Sequence, residues 1–422
     1  MARKFEEETE GSTEMARSNN RLSEETEGST EMARSNNRLS ALMPVALVAV
    51  LAIVIAGCGS SGGATSSSSG GGAGGSKACK RQYKVALAMS YVGNDWQIEA
   101  RNMVVAESKT PPYDKCVKLD QYVAGPDVEK QIQQLQQMVA KQYDAIVLYP
   151  ISPTALNQVI GQACSRKIVV VAYDAEVTNP CAYNVHINQT AAGKLTADWL
   201  AKAMHGKGNL VLSTGVPGTS VDTDRTNGAK SVFSKYPGIK TIASVSGMWD
   251  QAVSQQTMSR VLASQKDIHG VWGQVGYGNL LAFQNAKLKP PPMVGESENG
   301  FRVAIQDGDV EGISYGSPPY TGAYALKMAV AVLNGQTTIP KQMFVPLPLN
   351  TKDQLKLCTN VTKGCNTFPL STAATGFFDD FYDKSVVPEL CLSAIQTGTP
   401  CPGKKAKPPV DHSFPASATS RA

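Results

Sequence analysis

Nine side chains have the types and spacing to hold a small polar molecule: Tyr91, Asn94, Asp95, Trp96, Asp174, Arg225, Gln274, Glu296 and Asn299. Most of them stand just past a short apolar run. Tyr91 to Trp96 follow YKVALAMS, Asp174 follows KIVVVAY, Gln274 follows HGVWG, and Glu296 to Asn299 follow MVG, while Arg225 lies beyond GNLVLST. An aromatic face packs against C–H patches, and planar carboxylate, carboxamide and guanidinium groups bridge neighbouring hydroxyls. Trp96 with Asn94, Asp95, Asp174 and Arg225 supplies both kinds of contact, without covalent chemistry. No cofactor is expected. No metal is expected either, because the sequence contains no CxxC pair.

Each residue has a plainer account beside this one. Trp96 opens a helix and can belong to the core, and Asp95 can serve as that helix's N-cap. Asp174 can cap a turn, and Arg225 can pair with Asp222 or Asp224 at the surface. Trp249 and Trp272 also stand near strand ends, where core packing explains them at least as well. A different chemistry is suggested by GISYG, residues 312–316, which satisfies G-x-S-x-G with Ser314 as nucleophile. That motif needs a helix after the serine and a downstream histidine. Pro318 and Pro319 occupy the helix start and His412 lies in a Pro-rich tail, so a serine hydrolase is the weaker alternative. GVPGTS is no phosphate loop, because it lacks the lysine.

The elements that must position these residues alternate regularly. YKVALAMS, VKLDQYVAG, YDAIVLYP and KIVVVAYD read as strands, the last two continuously apolar. DWQIEARNMVVAESK reads as a helix, Asp127 as the N-cap of VEKQIQQLQQMVAKQ, and Pro153 as the opening of PTALNQVIGQACSR. After residue 187 the pattern restarts with TAAGKLTADWLAKAM, GNLVLST, RTNGAKSVFSKY, KTIASVSG, QAVSQQTMSRVLASQ and IHGVWGQ. Apolar strands between helices imply parallel sheets covered on both faces, and two such units imply an α/β fold of two Rossmann-like lobes.

The N-terminal part reads differently. EETEGSTEMARSNNRLS occurs twice in tandem, at 7–23 and 24–40, too short a repeat to build a solenoid. Next comes the uncharged run ALMPVALVAVLAIVIAG, marginal for a bilayer span of roughly 20 residues. Arg34 and Arg38 before it, and small residues after it, make it a signal peptide. Its end, IAGC, resembles a bacterial lipobox, which makes Cys58 a lipidated first mature residue. Translation from Met32 gives a complete signal of this kind, so residues 1–57 are expected to be a leader and 1–31 dispensable. Residues 58–78 are a Gly/Ser tether.

Without the leader, the rest of the 422 residues suffices for two domains. The chain's formal charge is +5, spread without a basic stripe, so no nucleic-acid partner is expected. The remaining cysteines, Cys79, Cys116, Cys164, Cys181, Cys358, Cys365, Cys391 and Cys401, are even in number and read as a disulfide framework. Cys79 and Cys116 each precede a strand and share a sheet end if those strands are parallel neighbours. Local pairing of the rest joins Cys164 to Cys181, Cys358 to Cys365 and Cys391 to Cys401.

Several segments together resemble the periplasmic binding proteins of the ribose/galactose type, which share their body with lactose-repressor-type effector domains. They are KVALAMSYVGNDWQ, DAIVLYPISPTALNQVIGQACSRKIVVVAYDAEV, DRTNGAKSVF, HGVWGQVGYGNLLAFQNAKL, MVGESENGF and GISYGSPPYTGAYALKMAVAVLNG, and they span about residues 80–350. The resemblance implies two lobes, residues 79–187 with 316–346 and residues 188–315 with 347–370, joined by a three-stranded hinge around a ligand cleft. It implies a monomer, anchored outside the cytoplasm through Cys58, that captures a small ligand, by family default a sugar, for an ABC permease and its ATPase. A receptor that docks on a membrane sensor is the alternative. Four positions depart from the family pattern. Val275 and Gly276 stand where it has Asn-Asp, Ser297 stands where it has Asp, leaving Glu296 or Glu298 as substitutes, and Gly316 stands where ribose binders have Gln. Residues 371–422 extend past the family's usual end and read as a disulfide-stapled cover.

Overall fold

The computed structural model describes residues 79–358, 366–379 and 387–409. The leader, the tandem repeat, Cys58, the tether and Cys365 all lie outside the described residues.

The first strand, β1 (Tyr83–Met89), is buried at six of seven positions because helices cover both faces of its sheet. Around it run α1 (Asp95–Lys109), β2 (Val117–Val123), α2 (Val128–Ala140), β3 (Ala145–Tyr149), α3 (Asn157–Ser165), β4 (Val169–Tyr173) and β5 (Tyr183–His186). The second unit comprises α4 (Gln189–Ala203), β6 (Lys207–Thr214), α5 (Ser220–Phe233), β7 (Gly238–Ser246), α6 (Gln251–Ser264), β8 (Gly270–Gly273), α7 (Gly276–Asn285), β9 (Met293–Glu296), α8 (Asn299–Asp307) and β10 (Gly312–Tyr315). Then follow α9 (Thr321–Leu333), β11 (Gln342–Phe344), β12 (Leu349–Asn350) and the short α10 (Leu392–Thr397).

The strands form two sheets, ordered β11-β5-β4-β3-β1-β2 and β12-β10-β9-β8-β6-β7. The first is parallel throughout, and the second is parallel except for the β10–β12 pair. The chain passes from the first sheet to the second after β5, back after β10, and over again between β11 and β12. The α/β class with two lobes and three connecting segments, expected from the sequence, is the observed one.

Side-chain alternation along β3 shows how both sheets are covered. Ala145, Val147 and Tyr149 face α1 and α9, while Ile146 and Leu148 face α2 and α3. In the second sheet Leu210, Leu212 and Trp272 pack with α4 and α5, and Val211, Val271 and Met293 with α6, α7 and α8. Trp272 is core, its Nε1–H satisfied by Thr196 Oγ1 at 3.0 Å.

Three local readings shift. The N-cap of α1 is Asn94, whose Oδ1 accepts from Gln97 N at 3.0 Å, and Asp95 is left free of that duty. Helix α3 starts at Asn157, not Pro153, because Ser152 Oγ ties back Ala155 N at 3.2 Å and Pro153 O accepts from Thr178 N at 2.9 Å. Helix α5 starts at Ser220, ahead of Arg225, because Thr219 caps it. Asp127 caps α2 as expected.

Disulfides join Cys79 to Cys116, Cys164 to Cys181, and Cys391 to Cys401. The first ties the starts of β1 and β2, which are parallel neighbours.

Candidate ligand-binding site

In each sheet the first strand, β1 or β6, has its next two strands on opposite sides, so each sheet has a switch point there. Ligands of open α/β sheets sit beyond the carboxyl ends of strands at such points. A cavity of about 50 Å³ lies there, lined by residues that follow strands of both sheets. Asn94, Asp95, Trp96, Gln97, Tyr149, Asp174 and Ser317 come from the first lobe and the returning connection. Val221, Arg225, Trp249, Gln251, Val275, Glu296 and Glu298 come from the second lobe, and Gly376 and Phe378 from the C-terminal segment.

Six of the nine sequence-derived residues therefore meet in one cavity: Asn94, Asp95, Trp96, Asp174, Arg225 and Glu296. The other three stand behind it. Tyr91 folds over its own loop, where a Cβ on Gly93 would meet the tyrosine ring. Gln274 is buried, donates to Asp222 Oδ1 (2.8 Å) and Thr226 Oγ1 (3.1 Å), and accepts from Trp249 Nε1 at 2.9 Å. Asn299 holds the C-terminal segment, donating to Ala373 O at 3.0 Å and accepting from Phe368 N at 3.3 Å.

Arg225 does not pair with Asp222 or Asp224. It is 1 % exposed; its Nη1 meets Glu296 Oε1 at 2.5 Å and its Nε donates to Gln189 Oε1 at 2.7 Å. The guanidinium also lies over the Tyr315 ring, 5.1 Å from its centroid. Burial opposes its charge, but Glu296, Tyr315 and Asp174 outweigh that and raise its pKa. Among the described residues, the hydrogen bonds of the guanidinium run through Nε and Nη1.

The network continues to the other sheet. Gln189 Nε2 lies 3.4 Å from Asp174 Oδ1, which also accepts from Ser317 Oγ, and Trp96 Nε1 donates to Ser317 O at 2.5 Å. Burial raises the pKa of Asp174, against the pull of Arg225 and Ser317. Asp174 sits at φ 59°, in the left-handed region that Asp tolerates better than most residues. Burial, and then Asp250, raise the pKa of Asp95.

Trp96 satisfies two readings together. It is 5 % exposed, packed in the core beside Tyr149 with ring centroids 5.8 Å apart, and it also lines the cavity. Removing it would therefore cost core packing and alter the cavity wall together.

The cavity lining also includes Tyr149, Ser317 and Phe378, which the sequence reading misses, and Trp249 and Glu298, which it leaves open. Tyr149 ends β3 and was within reach of the strand-end rule. Trp249 enters the cavity where Met248 and Trp249 both adopt left-handed φ, 56° and 51°, a backbone state that bulky side chains rarely adopt. Gly215 makes room for the indole, since a Cβ there would lie 2.2 Å from it. Val275 offers α7 no side-chain cap, and Glu298 supplies one from the next loop, its Oε2 accepting from Gly276 N (2.6 Å) and Tyr277 N (2.9 Å). Burial pushes the Glu298 carboxyl up to about 8 against those two bonds.

Ser314 offers no nucleophile elbow. It lies inside β10, fully buried, with its Oγ accepting from Arg302 Nε at 2.9 Å. Among the described residues no group of three or more His, Cys, Asp or Glu is placed to hold a metal ion.

Residues 85–337 match the family described as periplasmic binding protein domain, which is more than half of the chain. The chain belongs to that family. A xylitol-binding protein of Mycolicibacterium smegmatis is 30% identical over 239 residues, covering 55% of this chain and 68% of that one. A galactofuranose-binding protein of Escherichia coli, YtfQ, is 28% identical over 217 residues, covering 49% and 68%. Among solved structures, an ABC transporter solute binding protein from Thermobispora bispora superposes with a TM-score of 0.59 at 25% identity, covering 78% of this chain and 99% of that one. For a periplasmic binding protein the cavity lies where the fold predicts it, but part of its lining, Gly376 and Phe378, falls outside the matched residues.

Proposed function

We propose that this chain is an extracytoplasmic, membrane-anchored binding protein that captures one monosaccharide or short polyol by closure of its two lobes. The observation that carries this reading is the cavity lining. Aromatic side chains (Trp96, Tyr149, Trp249) and planar polar groups (Asn94, Asp174, Arg225, Glu296) converge on it from both lobes. Such a lining, polar and aromatic groups facing one another across a small cavity, suits a short polyol or a single sugar ring. The relatives named for xylitol and galactofuranose binding support the same ligand class.

Contacts between the lobes support closure as the means of capture. Asn94 Nδ2 donates to Trp249 O at 2.9 Å, and Glu176 N donates to Ser220 Oγ at 3.0 Å, each from the first lobe to the second. A ligand that touches both linings only when these contacts are made stabilises the closed state by its differential affinity. The closed form then delivers the ligand to an ABC permease and its ATPase, with lipidated Cys58 and the residues 58–78 tether keeping the protein at the membrane. In this reading the lobes are residues 79–187 with 316–346 and 188–315 with 347–370.

The test is a thermal-shift screen of the full chain against xylitol, D-ribose, L-arabinose, D-allose and myo-inositol, followed by calorimetry. A ligand at a hundredfold excess over Kd should stabilise the fold by about 2.7 kcal/mol. A screen in which none of these shifts the melting temperature would sink the ligand class.

A further inference from the structure

Two of the cavity's lining residues come from a segment that the periplasmic binding protein match does not include. We propose that the C-terminal segment is a strap across the cleft whose residues Gly376 and Phe378 form a third wall of the ligand site and set which ligands fit. The proposal rests on the ligand reading above.

The strap's first half is held by the second lobe. Asn299 N donates to Phe377 O at 2.6 Å, Gly300 N to Thr375 O at 2.9 Å, and Asp379 N to Ser297 O at 3.2 Å. The first two satisfy amides at the start of α8, which lack helix partners, and in the third the strap's amide donates to the residue before the helix cap. Its second half is held by the first lobe. Asn102 Nδ2 donates to Ile395 O and Gln396 O, both at 2.9 Å, and Glu389 pairs with Lys327 of α9 at 2.6 Å in the core. The Cys391–Cys401 disulfide closes this half on itself.

At the cavity the strap crosses from one lobe to the other. Phe378 N donates to Glu99 Oε1 of α1 at 2.9 Å. Gly376 lies so close to Asp95 that a Cβ there would stand 1.9 Å from the carboxylate oxygen, so only glycine fits without moving one of them. The two lobes of this fold connect through three crossings, and the strap adds a further link on the cavity side. Opening the cleft therefore requires parting Phe378 from Glu99. The bound ligand faces an apolar ring where, without the strap, it would face water.

The experiment uses the full chain with Phe378→Ala, Phe378→Leu and Glu99→Ala, and two readouts. Calorimetry with the five probes above should show Phe378→Ala weakening the best wild-type probe by about tenfold or more. Phe378→Leu, which keeps apolar bulk, should lose less. Amide exchange without ligand should show the Phe378 amide exchanging about tenfold faster in Glu99→Ala, while Asn299 and Gly300 stay protected, which separates release of the strap from unfolding. If wild type binds a probe and Phe378→Ala binds it equally well, the third wall is overturned and the ligand reading stands. If wild type binds none of the five, the ligand reading falls and the exchange result alone decides the strap. An unchanged Phe378 amide in Glu99→Ala overturns the strap whatever the binding data show.

Discussion

Two buried ion pairs of nearly equal length do opposite jobs. Arg225–Glu296, at 2.5 Å, faces the cavity, while Lys327–Glu389, at 2.6 Å, is sealed between α9 and the C-terminal segment. Around Arg225 the charge is spread over Gln189, Tyr315 and Asp174. Around Lys327 a second carboxylate, Glu107, crowds in. Burial, and then the Glu389 charge, push the Glu107 pKa well up, with Lys327 opposing. One cation between two buried carboxylates is served only if one of them keeps its proton. The lesson is that a buried charge beside a cavity can be completed by a ligand, whereas one in the core is completed by the chain and pins whatever carries its partner. Here that partner is on the strap.

The contrast is broken most sharply at Lys327. Lys327→Met removes the cation that faces two buried carboxyl groups among the described residues and should cost about 3–5 kcal/mol, read from urea unfolding midpoints. Adding Glu389→Leu should recover most of it. A single variant that unfolds at the wild-type midpoint would show that the pair does not pin the strap.

At Arg225 the loss should appear in affinity first. Lysine keeps the charge near Glu296 but cannot reach Gln189, Tyr315 and a ligand oxygen together. Arg225→Lys should weaken binding about tenfold, some 1.4 kcal/mol, with a smaller change in unfolding midpoint. Equal affinity by calorimetry would remove Arg225 from the site.

Glu298 sharpens the comparison as a buried carboxyl served by helix amides instead of a cation. Its folded pKa, about 8, stands above the ordinary 4.5, so the folded state binds the proton more tightly than the unfolded chain. Its contribution is then full below about 4.5 and is lost as pH rises toward 8. Glu298→Gln keeps an oxygen for Gly276 N and Tyr277 N and should flatten stability across that window. A wild-type slope that survives in the variant would assign it to another group.

How far the site was legible depends on how local its causes are. The strand-end positions of Asn94, Asp95, Trp96, Asp174 and Glu296 follow from apolar runs and their breaks, which the sequence displays directly. For Arg225 the sequence offers only near neighbours, Asp222 and Asp224, as partners. Its actual partner, Glu296, is 71 residues away and is brought there by the β6–β8–β9 order of the second sheet. The sequence leaves Trp249 open between core and cavity because its route depends on two left-handed residues that no propensity favours. Asn299 has the right type and strand-end position, yet its carboxamide is spent on Ala373 and Phe368 of the C-terminal segment.

The sequence by itself determined the alternation of strands and helices, the restart after residue 187, the caps at Asp127 and the pairing of nearby cysteines. All of these are set by periodicity, capping chemistry or short loops, interactions that span a few tens of residues at most. Tertiary structure alone decided that Gly376 and Phe378 reach the cavity and that Glu389 meets Lys327 and Glu107. Those contacts join segments 62 to 282 residues apart. Nothing in the local pattern of a Phe or a Glu records which distant surface will exclude water from it. Burial and charge pairing are properties of the assembled core, fixed only once both lobes and the strap have closed around the same space.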